Sequence, residues 1–238
     1  MSVTFLGSLT RIADFDREPY DVQRLARADW ATGDYVVGEI TGPRNRALQF
    51  ELTSGRMIQA LRGDCVIGAL GCRAATLEAT GSWMDMNGDT MHAMTSAGLF
   101  GAVTSLSTLI PSVTRLEYRG HVVRNGEKVR MADFAIHGEG SFSVPTVLIV
   151  GTSMSSGKTT TGRLVVHELE RMGHKVVGAK LTGAGRYRDI LSFRDAGADA
   201  VFDFVDAGLP STVVPEDDFR RAIRPLLSHI SSHISNGE

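Results

Sequence analysis

Val147-Leu-Ile-Val-Gly-Thr-Ser-Met-Ser-Ser-Gly-Lys-Thr-Thr160 is the stretch on which the reading of this chain turns. An apolar run gives way to a loop of Gly, Ser and Thr, and the loop ends in Gly-Lys-Thr. A loop that holds phosphate needs a small, pliant backbone whose N–H groups can turn inward. It also needs the start of a helix, where amides and dipole favour an anion, and it needs a cation and a hydroxyl for the phosphates and their Mg²⁺. Gly151 and Gly157 supply the backbone and Lys158 the cation. Thr159 supplies the Mg²⁺ hydroxyl, and Thr152, Ser153, Ser155, Ser156 and Thr160 are small polar neighbours of the anion.

Working outward, the flanks fit a strand before the loop and a helix after it. Pro145–Val150 is continuously apolar, the pattern of a strand buried on both faces. Leu164, Val165, Leu169 and Met172 form a helical stripe that Gly173 closes. His174–Ala179 reads as a second strand, Asp189–Ala196 as a short helix and Ala200–Val205 as a further strand. Pro215–Ile234 reads as a final helix, with a kink expected at Pro225. The expected fold is α/β. Residues 145–238 form a phosphate-loop domain with a parallel sheet flanked by helices, and residues 1–140 form a smaller β-rich, barrel-like domain.

The β-rich half is read from short apolar runs at Tyr35–Ile40, Gln49–Leu52 and Cys65–Leu70, and from a hairpin turning at Asn125-Gly126 between Leu116–Val123 and Lys128–Ile136. Met91–Leu109 is expected to be helical. Gly33-Asp-Tyr-Val-Val-Gly38 and Gly63-Asp-Cys-Val-Ile-Gly68 share one pattern 30 residues apart. Each Asp is expected to cap backbone amides of its own turn. The pattern resembles the Gly-Asp turn of small cradle-loop β-barrels; two unrelated turns are the other reading.

The loop departs from the usual phosphate-loop spacing, because five residues separate Gly151 from Gly157. This form resembles dethiobiotin synthetase and its relatives in the SIMIBI class of P-loop NTPases. A second likeness is Val176-Val-Gly-Ala-Lys-Leu-Thr-Gly-Ala-Gly185, a strand ending in Lys before a Gly-rich loop. The molybdopterin-guanine dinucleotide biosynthesis adaptor and the DUF1611 proteins have comparable loops. The resemblance spans roughly 147–185. It implies bound ATP with Mg²⁺, Lys158 and Lys180 as catalytic cations, and transfer of the γ-phosphoryl group to a carboxylate or carbamate. A nucleotide-dependent switch or adaptor and an acyl-CoA-dependent transferase are the alternatives. ATP is expected over GTP because no Asn-Lys-x-Asp motif is present. Walls that 145–238 lacks are expected from further chain, the β-rich half or a second subunit.

Asp206 is the candidate second Mg²⁺ anchor; a solvent-side residue of an edge strand is the bland reading, and Asp203 is read the same way. His229 and His233 have metal-pair spacing without a third ligand. Asp189 and Asp195, on a short charged helix with Arg186, Arg188 and Arg194, are read as a solvated face, with a substrate or phosphate contact as the other reading. A formal net charge of −2 argues against general nucleic-acid binding. Cys65 and Cys72 are too few for a disulfide framework. Ala97–Ile110 is too short to span a membrane, for which about 20 apolar residues are needed. The chain is therefore expected to be cytoplasmic, with a nucleotide and a small-molecule substrate as partners and a homo-oligomer as the assembly.

Overall fold

The computed structural model describes residues 3–42, 49–108, 110, 112–152 and 156–236. The described strands are β1 (Thr4–Leu6), β2 (Asp21–Gln23), β3 (Tyr35–Ile40), β4 (Phe50–Glu51), β5 (Met57–Ile58), β6 (Cys65–Leu70), β7 (Cys72–Ala75), β8 (Ala79–Ser82), β9 (Thr90–Ala93), β10 (Leu99–Leu106), β11 (Thr114–Arg124), β12 (Glu127–Lys128), β13 (Val177–Lys180) and β14 (Ala200–Asp203). The α-helices are α1 (Lys158–Arg171), α2 (Tyr187–Arg194) and α3 (Glu216–Asn236).

The first twelve strands build one large, mostly antiparallel sheet, apart from the small β4–β5 ladder. The sheet closes on itself. β6, β3, β11, β9 and β10 are neighbours in turn, and β10 returns to β6 in parallel through Leu99↔Ala69 and Phe100↔Leu70. Alternation along each strand then gives two cores. Val36, Ile40, Val66, Leu70, Phe100 and Leu116 share one cluster inside the ring. Tyr35, Val37, Ile67 and Ala69 belong to a second cluster.

The Gly-Asp repeat is a pair of matched turns. Gly33 and Gly63 both have positive φ, 86° and 90°. Asp34 Oδ2 accepts from Ala31 N at 2.7 Å and Asp64 Oδ2 from Leu61 N at 2.8 Å. The two turns also reach across to each other's strands. Gly33 N donates to Leu70 O at 2.8 Å, and Gly63 N to Ile40 O at 2.9 Å. Leu70 N donates to Asp34 O and Ile40 N to Asp64 O. At the closing glycines Gly38 and Gly68 there is no room for a side chain. A Cβ on Gly68 would fall on the Gly98 carbonyl oxygen and against the Phe100 ring.

Two further expectations in this half change. Met91–Leu109 is not a helix but part of strands β9 and β10, with Leu109 outside the described residues. Its Gly, Ser and Thr content disfavours helix, and Gly98, at φ 91°, makes the turn between the strands. The Asn125-Gly126 turn has positive φ at both residues, 51° and 83°, as a primed hairpin turn requires. The returning strand is only β12, because Met131–Phe134 then coils into a 3-10 turn.

The expected C-terminal parallel sheet flanked by helices is not formed. Among the described residues of this half, β13 and β14 alone pair in parallel, four residues each. Pro145–Val150 is not a strand, and Val147, Leu148 and Val150 are 63%, 75% and 79% exposed. An apolar run becomes a buried strand only when neighbours cover its edges and faces, and among the described residues no strand pairs with 145–150.

One core cluster spans both halves of the chain. The outer cluster joins Leu9, Tyr35 and Ile67 to Phe204, Val205, Leu226 and Ile230. A smaller cluster of Val166, Ile190, Phe193 and Ala198 sits between α1, α2 and the ladder. Phe193 lies over both Gly162 of α1 and Gly178 of β13, where a Cβ on either glycine would press on its ring.

Candidate functional site

Gly157 caps α1 in the left-handed conformation, φ 86° and ψ 1°. That torsion turns the chain sharply into the helix, and only glycine adopts it without strain. No side chain caps α1 and its first turn carries no acid. Lys158, the first helical residue, folds back so that Nζ lies 3.1 Å from Ser156 Oγ. Gly151 closes over the same place: a Cβ there would meet Ser156 Oγ and the Lys158 methylenes. Gly151, Thr152, Ser156, Gly157 and Thr160 are exposed, and Lys158 and Thr159 are half-buried. Thr160 also lines a cavity of about 410 Å³ along α1, with Arg163, Leu164, His167 and Asp195. Ser153 and Ser155 lie outside the described residues.

Lys180 stands at the C-terminal end of β13, opposite Asp203 in register. Its ammonium is paired with Asp189 of α2 and donates to Ala184 O at 2.6 Å. It is thus held by its own loop and by α2. Asp189, read from sequence as belonging to a solvated face, is the anchor of that lysine.

Asp206 does not sit with Thr159. No hydrogen bond or ion pair joins the two among the described residues. Asp206 Oδ2 accepts from Asp203 N at 2.7 Å, and Oδ1 faces Arg11 at 3.7 Å. Arg11 itself is paired with Asp203, whose Oδ1 also accepts from Val205 N at 2.8 Å. The guanidinium lies over the Tyr187 ring, 4.8 Å from its centroid. Asp203 is fully buried and its Oδ2 has no hydrogen-bond partner among the described residues. Burial pushes the Asp206 carboxyl up to about 6; Arg11 opposes that rise and Asp203 adds to it. The Mg²⁺ pair expected from sequence therefore does not fit this arrangement, since Asp206 is committed to the Arg11–Asp203 cluster and Thr159 offers a single hydroxyl.

Two residues that sequence reasoning passed over complete the region. Arg11 comes from a turn in the β-rich half and carried no motif. Glu51, from β4, is fully buried and takes Ser8 Oγ at 2.5 Å. Glu51 carries no sequence signal either, because burial is not visible in one sequence.

His229 and His233 stack edge-on against Phe202, with centroids 5.4 and 6.1 Å away. Among the described residues no group of three potential metal ligands is found. No helix among them is long and apolar enough to cross a membrane. No family model, curated protein or solved structure matches the chain.

Proposed function

We propose that this chain binds a nucleoside triphosphate, ATP first, at the loop 151–160. The carrying observation is the left-handed Gly157 cap with Lys158 beside it, at a helix start free of acidic side chains. The amides of a helix's first turn and a lysine at that turn are complementary to the charge on phosphate oxygens. Thr159 would offer its hydroxyl to the accompanying Mg²⁺. Phosphoryl transfer to a carboxylate or carbamate is the reaction class that the loop's resemblance suggests, with Lys180 as second cation once it leaves Asp189.

Calorimetric titration with Mg-ATP tests this reading, run beside Lys158→Ala and with Mg-GTP and coenzyme A as competitors. Saturable ATP binding that Lys158→Ala abolishes without unfolding the chain is the expected result. Absence of binding to the folded wild type, or equal binding by the variant, overturns it. Displacement by coenzyme A but not by GTP would redirect the assignment to an acyl-CoA-dependent transferase.

A nucleotide-dependent switch is the second reading. It draws support from α2, which packs against α1 on one side and is tied to the barrel by Glu51 on the other. It predicts slow hydrolysis that no small-molecule acceptor accelerates.

A further inference from the structure

A cavity of about 340 Å³ opens at the seam between the barrel and α2. Its polar lining is Arg11, Asp206 and Thr53; Phe134, Ile136 and Tyr187 are among its apolar walls. This volume is in the range of small-ligand pockets, and polar groups make up the larger part of its accessible lining, with apolar walls beside them.

The charges around it do not balance. One guanidinium, Arg11, serves two carboxylates, and its contact with Asp203 leaves Asp206 Oδ1 at 3.7 Å, too far for a hydrogen bond. The side chains of Arg11 and Asp203 are 6% and 0% exposed, so solvent screens the cluster poorly. A carboxylate or phosphate entering the cavity would meet an excess negative charge, and no set of three metal ligands is present among the described residues. An ammonium or amidinium group would neutralise the excess and donate to Asp206 Oδ1, while its carbon body covered Phe134 and Ile136.

We propose that this seam cavity binds a small organic cation with an apolar or aromatic body, and that Asp206 is its recognition residue. The proposal stands whether or not the loop binds a nucleotide. The charged groups facing Asp206 are Arg11, from the turn after β1, and Asp203, from β14. With Asp206 titrating at about 6, the site is anionic at neutral pH and loses that charge on acidification.

The test titrates the full chain by two-dimensional NMR with three probes of similar shape: 2-phenylethylamine, 2-phenylethanol and 3-phenylpropanoate. At about pH 7.5 the amine is expected to saturate, shift the amides of Arg11, Thr53, Ile136 and Tyr187, and bind roughly tenfold more tightly than the alcohol. Asp206→Asn, which keeps an acceptor for Asp203 N, removes that preference. Thr53→Trp, at a half-exposed turn, fills the cavity and removes binding of every probe. At about pH 5, where Asp206 is protonated, the wild-type preference disappears. If the wild type binds the alcohol or the carboxylate as tightly as the amine, or binds no amine at millimolar concentration, the proposal fails. Because that comparison uses only the wild type, it decides the matter even if a variant does not fold.

Discussion

Glu51 holds the start of α2 through Tyr187: its Oε2 accepts from Tyr187 N at 2.7 Å, and its Oε1 takes the next amide, Arg188 N, at 3.0 Å. A buried carboxylate from the barrel thus does what an N-cap residue of the helix would otherwise do. Arg186, which occupies the N-cap position, makes no side-chain cap. Glu51→Ala would leave Ser8 Oγ and both amides without their acceptor. A loss of about 3 kcal/mol is expected, read as a lower urea midpoint at unchanged slope. Glu51→Gln, which keeps one acceptor oxygen, should lose less. Equal stability of wild type and Glu51→Ala would mean that the contact does not form in solution.

Asp206 makes the fold less stable at neutral pH than it is in mild acid. Its carboxyl is raised from 3.8 to about 6 on folding, so between those values the folded chain holds the proton more tightly than the unfolded one. Stability from this group is greatest below the unfolded value and is lost as pH rises through the folded value. Asp206→Asn should therefore gain roughly 1–3 kcal/mol over the wild type at about pH 7.5, and the gain should vanish below about pH 4. Denaturation curves of the pair across that window check it; a difference independent of pH would show that the carboxyl is not perturbed.

Gly63 and Gly68 belong to the same repeat but should respond differently to alanine. Gly63 has φ 90° and open space where a Cβ would project, so Gly63→Ala should cost only the left-handed strain, about 1 kcal/mol. Gly68 would bring its Cβ onto the backbone oxygen of Gly98, which already accepts from Ala69 N at 2.9 Å. Gly68→Ala should cost more than about 3 kcal/mol or prevent folding. Thermal unfolding of the two variants ranks them, and the reverse order would contradict the closed ring.

Residues 145–150 should exchange their amide hydrogens far faster than β3, although both runs are strongly apolar. Val147, Leu148 and Val150 are exposed, whereas β3 is paired on both sides by β6 and β11. Peptide-level hydrogen exchange compares them directly. Protection of 145–150 that rises with protein concentration would reveal pairing with a second copy.

Much of the local structure could be read from single residues. Tyr35–Ile40 and Cys65–Leu70 are strands with the bounds their apolar pattern suggests, and Asn125-Gly126 turns as its chemistry demands. Asp34 and Asp64 cap their own turns. These are short-range matters, decided by φ preferences and by side chains that reach only a few residues. Pro145–Val150 and Met91–Leu109 misled for the opposite reason: whether an apolar run becomes strand, helix or open edge depends on which partners arrive.

By itself, then, the sequence determined the Gly-Asp turns, the hairpin turn and the Gly-Lys-Thr start of α1, because glycine torsions, turn caps and helix starts are settled within a few bonds. Only the tertiary structure decided that the sheet closes through Leu99↔Ala69, that the parallel ladder has two strands among the described residues, and that Arg11 meets Asp203 and Glu51 meets α2. Those pairs are separated by 192 and 136 residues. Taking water from either charged or polar partner alone is costly, so the fold tolerates their burial only where it brings both together, a condition that no local pattern encodes.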